Sequence, residues 1–220
     1  MGIRRTLIVA LIIGAVAAAS PRAQVDGRQE ALRDPSLLAD TAPGVFRARF
    51  ETSKGRFEIE VHRDWAPLAA DRFFNLVKHG FYDGNRFFRV RPGFVAQWGI
   101  HGDPFIQRAW RDANLRDEPV KQSNLRGFVS FTNENSPQSR YTQVFINLRD
   151  NPELDKDNFP AFGQVVSGME NVDKLYGGYA GPKEPDGRRI IREGNDYLQK
   201  EYPRLDFIKT ATIQPSTGAL

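Results

Sequence analysis

"FFRVRPGFVAQWG", Phe87 to Gly99, sets Arg89 and Arg91 among seven apolar side chains and turns back through Pro92-Gly93. Flanked by that turn, the two halves read as a pair of short strands. A permanent charge within a segment that otherwise reads as the wall of a core is the feature to explain.

The neighbouring segments supply the rest of a β-rich domain. Upstream, "GVFRARFETSKGRFEIEVH" alternates Phe46, Ala48 and Phe50, then Phe57, Ile59 and Val61, around the tight turn Ser53-Lys54-Gly55. This period of two predicts two half-buried strands. "APLAADRFFNLVKHGFYDG" follows, with Pro67 suited to a first helical turn and Leu68, Phe73, Leu76 and Val77 at helical spacing before Gly80. That is a helix of about three turns, whose Phe73 and Phe74 are read as packing residues.

Downstream, His101 to Arg126 reads as a long irregular connection, either functional or wrapped on the surface. Strands resume at "GFVSFT", "TQVFIN" and "PAFGQVV", then a short helix near Met169 to Leu175, and a last strand at Phe207 to Ile213. The insert before that strand carries Ile190, Ile191, Tyr197 and Leu198 at helical spacings, which predicts an added surface helix from about Asp186 to Lys200. Its "GGYAG" lacks the strand-then-helix context of a dinucleotide site and reads as a loop. The expected fold is mainly β: a closed, eight-stranded antiparallel barrel with two flanking helices and the added C-terminal helix.

The N-terminal end belongs to another kind of segment. Arg4-Arg5 precede the apolar run Thr6 to Ala19, which fits a secretory signal and falls short of the roughly 20 residues a spanning helix needs. The expected organisation is a signal peptide over 1–23, a flexible leader over 24–43 and one domain over 44–215. Export to the periplasm or the extracellular space follows, with membrane anchoring if the signal stays uncleaved.

Charge and composition exclude several classes. Arg4, Arg5 and Arg22 are three of the 31 basic residues and no acid precedes Asp26, so the chain from Gln24 carries 28 basic against 27 acidic residues. Without a basic patch interleaved with aromatics, nucleic-acid binding is not expected. The chain has no cysteine, which removes thiol nucleophiles, thiolate metal sites and disulfides. His62, His79 and His101 are not spaced as metal ligands, and "LDKDN" lacks the glycine and closing glutamate of a calcium loop.

In order, "TSKGRFEIEV", "APLAADRF", "GFYDGNRFFRV", "FFRVRPGFVAQWG", "GFVSFTNE", "TQVFIN" and "LDKDNFPAFGQVVSGM" resemble the cyclophilin-type peptidyl-prolyl cis-trans isomerases. The resemblance spans roughly Val45 to Leu175 and the last strand. It places Arg89 at the catalytic arginine and Gln97 at the glutamine that contacts substrate and steadies that arginine. Phe94, Val95, Phe145, Leu154 and Phe159 fall at pocket positions. Asn133, with Thr132 beside it, falls where the backbone receives the peptide, and Gln143 belongs to the same strand motif as Phe145. Read without the resemblance, Arg89 fits a surface ion pair, Gln97, Asn133 and Gln143 fit satisfied polar groups in a sheet, and Phe94 and Phe145 fit core. Arg91 reads as a solvated charge.

Amide rotation gives such a set a chemical reason. Resonance opposes rotation with a barrier of about 18–20 kcal/mol, and no bond has to break. In the twisted state the prolyl nitrogen recovers a lone pair, and an arginine aimed at it donates a hydrogen bond strongest at that point. The guanidinium needs no tuned pKa, and no cofactor or metal is called for. The expected partners are proline-containing polypeptides bound by a monomer. The alternative is a peptide-binding or chaperone module on the same fold with little turnover.

Four departures from the family pattern bear on the site. Glu153 stands at or beside an aromatic rim position, Trp98 replaces a glycine and is expected to crowd or shield the site, and Phe88 replaces a histidine. The loop Glu134 to Tyr141 lacks the usual glycines.

Overall fold

The computed structural model describes residues 30–133 and 138–215, so the expected signal peptide lies outside the described residues. The alternating segments form the expected hairpin, β1 (Val45–Thr52) and β2 (Gly55–His62). Phe50 and Phe57 are register partners with rings stacked at 4.9 Å, so the inward faces of the two strands are zipped by aromatic contact. Helix α1 (Pro67–Lys78) follows and buries Phe73, Leu76 and Val77 against the sheet.

The N-cap of α1, Ala66, has no side chain able to cap it. Its open N–H groups instead meet the Glu118 carboxylate, which accepts from Leu68 N at 2.7 Å and Ala69 N at 3.0 Å. Thus the connection after residue 101 wraps back to finish a helix that local sequence leaves uncapped. That connection also contains a helix its sequence did not announce, α2 (Pro104–Ala109), with Asp103 as N-cap accepting from Phe105 N.

The remaining elements are β3 (Arg89–Arg91), β4 (Val95–Trp98), β5 (Phe128–Phe131), β6 (Val144–Asn147), α3 (Glu153–Lys156), β7 (Ala161–Ser167), α4 (Met169–Val172), α5 (Gly187–Glu201) and β8 (Ile208–Gln214). The strands make one eight-stranded sheet in the order β3-β4-β6-β5-β7-β2-β1-β8, and every pair is antiparallel. The sheet curls around a core in which Phe50, Phe73, Phe131, Phe162, Tyr82 and Trp98 are fully buried.

The expectation of a closed barrel is corrected to an open, curled sheet. β3 and β8 are its edges; the residues just before each are joined by the isolated bridge Arg86↔Phe207, and Ile208 N donates to Asn85 O at 2.8 Å, but β3 itself is not paired with β8. The reason lies in the backbone: Phe87 N still donates to Asp206 O at 3.0 Å, but the next N–H, that of Phe88, turns back onto Arg86 O. The ladder therefore stops before the three-residue strand β3 begins.

Residues 30–43, expected as a flexible leader, are packed on the domain. Leu32, Leu38 and Ala42 are buried in the main cluster, Trp110 Nε1 donates to Leu32 O at 2.8 Å, and Asn75 exchanges hydrogen bonds with Asp40. The buried apolar area and satisfied backbone groups give this segment a fixed seat.

Helix α5 is the expected added helix, capped by Asp186, whose carboxylate accepts from Arg189 N at 3.0 Å. Ile190, Tyr197 and Leu198 bury its apolar stripe in a second cluster with Phe88, Ile100 and Leu205. Gly194 breaks the helix at φ 63°, and a Cβ there would lie 2.1 Å from Gly102 O, so only glycine allows this close approach. Docking α5 in this way carries the loop before it over β3. No helix of the described residues is long and apolar enough to cross a membrane.

Candidate active site

Side chains alternate across a strand, so β3, β4 and β6 each send one set inward and one set outward. Val90, Ala96, Trp98, Val144 and Ile146 go into the core. Arg89, Gln97 and Phe145 go outward and are register partners across the three strands. The alternation that buries Trp98 is thus what presents Arg89 and Gln97 together.

The polar part of the outward face is a hydrogen-bonded chain. Arg89 Nη1 donates to Gln97 Oε1 at 3.0 Å, and Gln97 Nε2 donates to Gln143 Oε1 at 3.0 Å. Gln97 and Gln143 are nearly buried, which holds the arginine by a partner that itself has little freedom. Burial and the neighbouring Arg91 charge lower the Arg89 pKa, and Glu184 opposes them. A guanidinium starts so far above neutrality that it stays charged throughout the physiological range.

The apolar part forms a small cluster of its own, separate from the core: Val95, Phe145 and Leu154, with Phe94 and Phe159 packed on them. Phe145 and Phe159 meet edge to face at 5.6 Å, and the Arg89 guanidinium lies 5.8 Å from the Phe94 ring centroid. Phe94 therefore joins the two parts.

An asparagine network fixes the walls of this cluster from behind. Asn151 Nδ2 donates to Phe94 O at 3.1 Å and to Asn147 Oδ1 at 2.7 Å; Asn147 Nδ2 donates to Asn124 Oδ1, and Asn124 Nδ2 to Phe159 O at 2.8 Å. The pattern of the sequence contained no hint that these asparagines share one network.

Beside the apolar cluster opens a groove of about 600 Å³ lined by Arg89, Gln97, Asn133 and Gln143. Thr132 sits next to it rather than in its wall, its N–H donating to Gln143 O at 3.0 Å and its hydroxyl to Asn133 O at 3.3 Å. All ten expected site residues are therefore found on one face: four around the groove, five in the apolar cluster, and Thr132 between strand and groove.

The description "Cyclophilin type peptidyl-prolyl cis-trans isomerase/CLD" matches residues 47–193. The chain belongs to the cyclophilin-type peptidyl-prolyl cis-trans isomerases. It is 34% identical over 145 residues to peptidyl-prolyl cis-trans isomerase A of Dickeya dadantii, covering 64% of this chain and 75% of that one. It is 30% identical over 166 residues to peptidyl-prolyl cis-trans isomerase B of Escherichia coli, covering 72% and 93%. Among solved structures, the Cryptosporidium parvum cyclophilin type isomerase determined in the presence of the dipeptide Ala-Pro overlays with a TM-score of 0.56 at 19% identity, covering 77% and 99%. The function of the family, peptidyl-prolyl isomerisation, is the function of this chain.

Three departures from the cyclophilin pattern resolve in the structure. Trp98, expected to crowd or shield the site, is wholly inside the core, edge-on to Phe50, Phe57 and Phe87. The following residue, Gly99, has φ 108°, and a Cβ there would lie 2.4 Å from Thr142 O, so the strand leaves the site by a path only glycine can take. Phe88 is buried in the second cluster under α5. Glu153 turns to solvent, paired with Arg149 Nη2 at 2.6 Å. Of the loop Glu134 to Tyr141, residues 134–137 lie outside the described residues.

Residues 184–191 are what the sequence reading missed. Glu184, Pro185, Asp186, Arg188 and Ile191 line the same groove as Arg89. Arg91, read as a solvated charge, donates from Nε and Nη2 to the two Glu184 oxygens at 2.5 and 2.9 Å. The sequence held a charged turn ahead of a helix, and nothing in its pattern says to which strand it returns.

Among the described residues, no group of three or more histidines, aspartates and glutamates is placed to hold a metal. The buried His101 is also engaged, its Nδ1 accepting from Asp103 N at 2.9 Å, and burial lowers its pKa while the Asp103 charge opposes the shift.

Proposed function

We propose that this chain accelerates X-Pro rotation in exported polypeptides with Arg89 as the catalytic group and Gln97 as its support. The observation that carries the reading is the Arg89–Gln97–Gln143 chain lying against the Val95, Phe145, Leu154 cluster. The apolar cluster grips the prolyl ring, Asn133 receives the peptide backbone, and the arginine meets the pyramidal nitrogen as the preceding carbonyl swings. That a solved relative was determined in the presence of Ala-Pro supports a prolyl peptide as the occupant. A millionfold acceleration needs about 8 kcal/mol of stabilisation confined to the twisted state, and a charged donor beside a water-poor pocket supplies a large share.

The test is exchange of an X-Pro peptide followed by NMR, with wild type beside Arg89→Ala. We expect the substitution to slow exchange by about 100- to 1000-fold, the loss typical of a donor aimed at transition-state charge. Equal exchange in both proteins would sink the assignment.

The apolar run behind Arg4-Arg5 supports export of the domain, released after cleavage or held at the membrane by the uncleaved segment. Fractionation of cells expressing the chain with and without residues 1–23 tests it. Loss of the extracytoplasmic pool is expected in the shortened chain.

A further inference from the structure

Arg89 and Arg91 are two residues apart on β3, so their guanidiniums leave the same face of the sheet and repel one another. Glu184 lies between them. Its carboxylate takes both hydrogen bonds from Arg91 and stands 3.7 Å from Arg89 Nε, and Gly181 N also donates to it at 3.3 Å. The glutamate is fixed on its own side as well. It precedes Pro185, which confines it to extended backbone, and it is found at φ −61°, ψ 144°. Pro185 is buried, and the next residue, Asp186, is the N-cap of α5.

Arg89 is thereby held from two directions: Gln97 on Nη1 and Glu184 at Nε. Burial works against the Glu184 charge, yet the Arg91 hydrogen bonds and charge, with the charge of Arg89, keep its carboxyl below the usual glutamate range.

We propose that Glu184 is a positioning residue for isomerisation: set between Arg89 and Arg91, it holds the Arg89 guanidinium in its working orientation and fastens residues 181–188 to β3 as one wall of the groove. This rests on the assignment of Arg89 as the catalytic group. A long, flexible side chain held at two nitrogens before substrate arrives has less freedom to lose in the twisted complex. It also explains why β3 carries a second arginine, since Arg91 is the stronger anchor for the carboxylate.

The experiment measures kcat and KM for an X-Pro peptide by NMR exchange in wild type, Glu184→Gln, Glu184→Asp, Arg89→Ala and the double variant Arg89→Ala/Glu184→Gln. Glu184→Gln is expected to lower kcat about tenfold with a much smaller change in KM, and Glu184→Asp to recover part of that loss. The double variant is expected to have a kcat no lower than that of Arg89→Ala alone, because the effect of Glu184 on turnover passes through Arg89. The Arg89 Nε–Hε resonance is expected to move in Glu184→Gln. Wild-type kcat in Glu184→Gln, an Asp variant no better than Gln, or the same fractional loss in the Arg89→Ala background each overturns the proposal. Wild-type turnover in Arg89→Ala overturns the underlying assignment instead, whatever Glu184 does.

Discussion

The inward and outward faces of β3, β4 and β6 are built from alternate residues of the same short strands and are opposite in character. Inward, Val90, Ala96, Trp98, Val144 and Ile146 lie in a closed aromatic and aliphatic core. Outward, Arg89, Gln97 and Phe145 stand in register, with Val95 and Gln143 beside them. One face excludes water to hold the fold; the other leaves a charge partly exposed beside an open groove. A period of two makes the separation possible, because neighbouring residues cannot share a face.

The comparison breaks most sharply at Trp98 and Arg89. Trp98→Ala would empty a fully buried site, and the expected loss is about 3–5 kcal/mol of stability, read as a fall in the urea midpoint. Turnover of the protein still folded should stay near wild type, since the Trp98 ring packs on Phe50, Phe57, Tyr82 and Phe87 in the core, on the opposite face of β4 from the Gln97 side chain. If the folded fraction instead loses isomerase activity, the two faces are not independent. Arg89→Ala, the substitution already set as the test of activity, should do the reverse and leave the urea midpoint close to wild type. The smallest effect belongs to Glu153, whose pair with Arg149 is about half exposed on both sides. Glu153→Ala should change stability by no more than about 1 kcal/mol and leave peptide KM within about twofold, as an exposed rim residue allows. A large rise in KM would put this side chain back on the rim of the pocket.

The strands and the grouping of the candidate residues were readable because both rest on local order. The alternation of Phe46, Ala48 and Phe50 against Phe57, Ile59 and Val61 specified the hairpin, and the order of the sequence blocks picked out Arg89, Gln97, Asn133 and Phe145, which the sheet brings together. Trp98 was misplaced toward the site because a block comparison marks which residue is unusual and not which face it occupies. Counting by twos from Gln97 would have sent it inward.

Long-range contacts account for the other differences. Residues 30–43 are polar in sequence, yet Leu32 and Leu38 find apolar seats, and Trp110 finds Leu32 O 78 positions away. Glu118 caps α1 from 50 positions along the chain. Glu184 reaches Arg91 across 93 positions. None of these pairs has a periodic signature, because each depends on where the folded sheet has already placed its partner.

The sequence by itself determined the alternating strands, the family resemblance and the presence of an arginine among apolar neighbours at Phe87 to Gly99. Folding decided that the sheet stays open at β3 and β8, that Trp98 is core, and that the loop before α5 brings Glu184 to Arg89. Hydrophobic periodicity is written into adjacent residues, whereas a charge pair between distant segments exists only once burial has removed the alternatives and fixed both partners in space.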